Sequence, residues 1–212
     1  MGSRDEEIRF LMGVKFPIEM RTEEDKMAYG FYHITNKGNK ADIAKNGLAP
    51  KSSTDNGKGE NRCFFAFGAQ GVLGFVNRAM FLTMIEMQKK YGSDKRLAVF
   101  RAMKDKLQDS IALRVDLREG EDFDKMEWFT GKASMRNTYT KPGVTIPVDR
   151  IRLLPRTAYT LVGNAYDYCK EKNLLSTISL GSVKDPETGH TYKEEFLIDD
   201  FIKKVRGRSY DD

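Results

Sequence analysis

The stretch Tyr-Gly-Phe-Tyr-His-Ile-Thr, residues 29–35, is followed closely by Ala-Asp-Ile-Ala-Lys-Asn-Gly-Leu, residues 41–48. Aromatic and β-branched side chains over 28–35 predict a strand that ends on His33 and Thr35. The second stretch predicts a helix over 40–46, capped by Asn39 and stopped by Gly47, with Ile43 and Leu48 fastening it to the sheet. Side chains alternate along a strand, so His33 and Thr35 share a face. A neutral imidazole beside a hydroxyl offers a paired acceptor and donor, which suits a ribose diol. The same residue types also suit an edge histidine with a helix-capping threonine. What separates the two is whether that face meets a ligand or the core.

Working outward, Thr22 to Asp25 resembles a capping box that opens a short helix before the strand. Residues 50–61 are polar throughout and read as a long loop, a binding element or lid. A strand over 62–67 follows, then a long, mostly buried helix over 69–91 ended by Gly92. Further strands are expected at 97–103, 111–117, 138–140, 144–147 and 151–154, with a surface loop at 118–126. Beyond Arg156 the pattern turns helical, at 160–175 and 191–205, around a turn at 185–189. In the last helix Lys193 and Glu194 are expected to face outward. Strands and helices are segregated rather than alternating, which predicts an α+β fold.

Composition sets wider bounds. The chain has 212 residues, 40 % apolar and 32 % charged, enough for a sizeable core and for one domain, or one domain with a modest appendage. A formal charge of +5 permits a polyanionic partner without requiring one. Cys63 and Cys169 lack metal-ligand spacing, so no metal is expected and a reducing compartment fits best. The N-terminus does not read as a signal peptide, and polar residues interrupt 69–91 too often for a membrane span. A soluble, intracellular protein is expected. Phosphate-loop, nucleophile-elbow and metalloprotease motifs are missing. The glycines at 68, 71 and 74 read as a helix start with small residues.

The block from Phe31 to Thr35, the helix ending Asn-Gly-Leu-Ala-Pro, the polar loop and Cys-Phe-Phe-Ala-Phe together resemble the opening of the ADP-ribosyltransferase superfamily. The likeness is to its His-x-Thr branch, which includes toxins that modify nucleic acid. A fainter similarity runs over 139–151, where Thr-Ile-Pro-Val-Asp-Arg-Ile looks like the tail after the family's third motif. Covering about residues 28–155, the resemblance implies a split β-sandwich that clamps NAD, placed over 1–157, and the helical pattern beyond it predicts a C-terminal extension over 158–212 packed on that domain. It implies His33 and Thr35 on the ribose, Phe65 or Phe75 stacked on nicotinamide, and Arg62 near the cleft. The reaction would be NAD-dependent mono-ADP-ribosyl transfer to a protein or nucleic acid, by a toxin or effector acting in its own cytoplasm or a target cell's.

A carboxylate usually stabilises the oxocarbenium-like charge in such chemistry. The strand before the Ile-Pro tail carries none, so three readings stay open: Glu127 serves from a loop, Asn137 substitutes, or the cleft binds without transfer. A related alternative is an NAD-consuming RNA 2′-phosphotransferase, with Arg62, Arg136 and Arg150 gripping phosphate. A non-catalytic binding protein on the same fold is the third.

Overall fold

The computed structural model describes residues 13–50, 61–92, 95–124, 137–178 and 180–206, with Asn137 described in its backbone alone. These residues form an α+β fold. Strands β1 (Phe31–Asn36), β2 (Phe64–Phe67), β3 (Ser110–Val115), β4 (Asn137–Tyr139) and β5 (Ile151–Thr157) make one antiparallel sheet in the order β4-β2-β1-β3-β5. A separate hairpin pairs β6 (Ser182–Lys184) with β7 (Thr191–Lys193). The helices are α1 (Glu23–Tyr29), α2 (Lys40–Asn46), α3 (Gly68–Tyr91), α4 (Arg96–Gln108), α5 (Ala158–Glu171) and α6 (Ile198–Arg206).

Strand alternation divides the apolar residues between two cores. Tyr32, Ala66 and Ala112 face a helical layer built from α3, α4, α5 and α6. Val72, Val76 and Met80 of α3 meet Leu161, Val162 and Ala165 of α5 and Phe201 of α6 there. Residues after 157 are therefore part of the same core as α3. On the opposite face Phe31, Phe65, Phe67, Leu113 and Val115 pack against Phe16, Ile43 of α2, Leu48, Phe123 and Ile146. Four of these phenylalanines meet edge-on or tilted, Phe16 with Phe31 at 5.3 Å and Phe31 with Phe67 at 5.0 Å.

Local signals explain the entries and exits. Thr22 accepts from the amide of Asp25 (3.0 Å), and Asp25 accepts from that of Thr22 (2.9 Å), a complete capping box for α1. Gly47 ends α2 at φ 79°, and a Cβ there would lie 2.3 Å from the carbonyl oxygen of Ile146. The chain thus turns tightly against the Leu48–Ile146 bridge. Gly68 opens α3 at φ 63°, a left-handed conformation that favours glycine, and a Cβ there would lie 2.4 Å from the carbonyl oxygen of Ala28 in α1.

Several expectations are corrected. Residues 97–103 lie in helix α4, because Val99, Met103 and Leu107 repeat at helical spacing and bury together with Phe100. At 144–147 only Ile146 bridges to Leu48. The segment 191–205 divides: the turn at Asp185 to Gly189 closes a hairpin, so Thr191–Lys193 is strand β7 and the helix starts at Ile198. Glu194, expected outside, is buried at 8 % exposure. Asn39 makes no side-chain cap to α2; Cys63, by contrast, is buried in the core as expected, and it and Cys169 are free thiols. The loop at 51–60 lies outside the described residues.

Candidate functional site

Strands β1 and β2 part company at His33. Their pairing consists of Phe31 with Phe67 and Tyr32 with Ala66. On its other side β1 stays paired with β3 along its whole length, from Phe31 to Asn36. Where the β1–β2 ladder stops, the His33 side chain takes over: Nδ1 lies 2.8 Å from the carbonyl oxygen of Phe64. A carbonyl only accepts, so Nδ1 carries the proton. In the neutral ring, which burial favours, Nε2 is then left as the acceptor. Burial pulls the His33 pKa below its ordinary value, opposed in part by that hydrogen bond. The ring is propped by Phe65, with centroids 5.6 Å apart.

Thr35 follows on the same face, half-exposed like His33. Its Oγ1 accepts from Nδ2 of Asn39, at 2.8 Å. The hydroxyl keeps its own proton as a donor. Side by side, His33 presents an acceptor and Thr35 a donor, the complement of two neighbouring hydroxyls. Among the described residues, neither side chain has a carboxylate partner.

The other expected site residues disperse. Phe65 is buried at 1 % exposure, so it supports the imidazole and has no open ring face for stacking. Phe75, 43 % exposed, sits on α3 in the layer across the sheet from His33. Arg62 lies over the Tyr139 ring, 4.9 Å from its centroid, and Tyr139 in turn meets Phe64 at 5.9 Å. Asn137 pairs with Ala66 at the start of β4, on the sheet edge. Glu127 and Arg136 lie outside the described residues. Arg150, expected to flank the cleft, is buried and bonds Asp122 through both nitrogens, at 2.7 and 3.1 Å.

Reading the sequence missed Asn39 as the partner of Thr35 and the Phe64 carbonyl as the partner of His33. The first had a signal, since an amide four residues past a strand-end threonine can fold back on it. The second depends on where two distant strands diverge, which local pattern does not encode. No group of three metal-binding side chains occurs among the described residues, and no helix there is long and apolar enough to cross a membrane. No protein-family model matches the chain, and neither does any curated protein or solved structure.

Proposed function

We propose that the split between β1 and β2 holds the ribose of NAD, and that the protein transfers ADP-ribose to a macromolecular acceptor with release of nicotinamide. The observation that carries this reading is the pair on one face of β1 at the split: an imidazole whose Nδ1 is held by the Phe64 carbonyl, leaving Nε2 as the acceptor, and a hydroxyl whose oxygen accepts from Asn39, leaving its proton as the donor. One sugar hydroxyl donates to His33, and its neighbour accepts from Thr35. The described strands are a single sheet and a hairpin, so the split β-sandwich belongs to this proposal as well.

In the reaction the bond from nicotinamide nitrogen to ribose C1′ breaks, with its electron pair leaving on nicotinamide. An acceptor atom then bonds C1′ and gives up its proton. Charge at C1′ calls for a carboxylate or an oriented dipole, and Glu127 and Asn137 are the residues proposed for that role. The rival phosphotransferase reading is weaker, since Arg150 is already committed to Asp122 and Glu121. Melting curves with NAD against a nucleotide panel, followed by a nicotinamide-release assay, test the proposal. An NAD-specific shift lost in His33→Ala is expected. Binding without release keeps the site and removes the transfer step; no NAD response in the intact protein rejects both.

A further inference from the structure

Across the sheet from His33, strands β3 and β5 set two arginines opposite one another. Arg114 stands in register with Tyr32 on one side and Arg152 on the other. Tyr32 and Ala112 face the helical layer, so by alternation Arg114 and Arg152 lie on that face. Like charges directly across a ladder repel.

Neither guanidinium has an ion-pair partner among the described residues. Arg152 is exposed and spends Nη1 on the carbonyls of Asp149 (3.0 Å) and Ile151 (3.5 Å), which fixes its head and leaves its remaining donors. Arg114 is half-buried, and its Nε is fully buried with no hydrogen-bond partner. An arginine cannot shed its proton, so the half-buried head keeps its charge, and with Nε shut off from solvent it is the terminal nitrogens of Arg114 that remain to meet a ligand. Beside it the Tyr32 hydroxyl donates to the carbonyl of Lys26 (2.6 Å), and Glu23, which bears on the same hydroxyl, pairs with Lys26.

We propose that Arg114 and Arg152 form a binding site for a terminal phosphate group. Such a group carries about two negative charges and three acceptor oxygens, enough to cancel both cations and serve both forks. A carboxylate carries one charge, and so does the phosphodiester of a nucleic-acid backbone. The terminal phosphate could belong to a small molecule or to the end of a strand. The site lies on the face away from His33, so it stands or falls separately from the NAD reading.

The test uses the full chain with inorganic phosphate and with a short oligonucleotide bearing either a 5′-phosphate or a 5′-hydroxyl. Phosphate is expected to raise the melting temperature beyond sodium chloride at equal ionic strength, and to shift the Arg114 Nε–H resonance. Arg152→Gln and Arg114→Met are expected to weaken phosphate binding by roughly tenfold or more, as loss of a charge-assisted pair does. Arg101→Gln, an exposed change on α4, is the control expected to keep it. Tighter binding of the 5′-phosphorylated strand than of inorganic phosphate identifies a strand end, and equal binding a small molecule. A response no larger than that to chloride, an unmoved Nε–H signal, or equal binding of the 5′-hydroxyl strand overturns the proposal. If Arg114→Met does not fold, Arg152→Gln and the resonance still decide.

Discussion

Two polar clusters in this molecule differ in completeness. Around Asn77, fully buried on α3, every group is answered. Its Oδ1 accepts from the amides of Leu197 (2.6 Å) and Ile198 (3.2 Å), and its Nδ2 donates to Glu194 (2.9 Å) and to the carbonyl of Glu195 (2.9 Å). Glu194 in turn accepts from the Gly181 amide (3.0 Å) and from Arg78 (3.3 Å). Around His33 the bonding stops halfway: one nitrogen is answered by Phe64, one hydroxyl oxygen by Asn39. A closed network specifies structure, while an open one has capacity for a ligand.

The sharpest way to break this contrast is Asn77→Leu. Leaving the start of α6 and the Glu194 carboxylate without their partners should cost about 3–5 kcal/mol, read by denaturant unfolding. The NAD-induced melting shift should survive in whatever fraction folds; its loss would mean the two clusters are coupled. Asp122→Ala attacks another closed pair and should cost about 3–5 kcal/mol, because it strands Arg150 in the interior. His33→Ala reverses the pattern: the NAD shift disappears, while unfolding loses only the single bond to Phe64, about 1 kcal/mol. A much larger stability loss would make the histidine structural. Thr35→Val should weaken NAD binding by about 1 kcal/mol, roughly fivefold, and cost unfolding no more than about 1 kcal/mol for the lost Asn39 bond.

The smallest effect is in pH. A histidine whose folded pKa is lowered binds fewer protons folded than unfolded, so the native state loses stability as pH falls through the ordinary value of 6.5 toward the folded one. Below the folded pKa the loss levels off. His33→Gln, which cannot titrate, should flatten that part of the stability curve, and an unchanged curve would show that burial of His33 is not its source.

Much of the site-bearing half was legible from pattern. The strand ending on His33 and Thr35, the helix stopped by Gly47, the capping box at Thr22 and the long helix to Gly92 rest on signals within a few residues. Helix α4 was not, because Leu97, Val99 and Phe100 have strand-like side chains and only the recurrence through Met103 and Leu107 reveals the helix. Glu194 failed for a different reason. A carboxylate belongs outside by default, and its burial follows from Asn77, 117 residues earlier. At the site, parity along β1 placed His33 and Thr35 together, yet no local rule placed Phe75 behind the sheet or tied Arg150 to Asp122.

The Asn77 cap has a bearing on how this chain comes off the ribosome. The side chain that starts the last helix is made 120 residues before the amide it receives. Until Leu197 emerges from the exit tunnel, the long helix carries a polar notch and an uncovered greasy flank that a nascent chain has no means of closing. Completion of the helical layer thus waits for a segment made long after α3, and until then the growing polypeptide exposes hydrocarbon of the kind that chaperones shield.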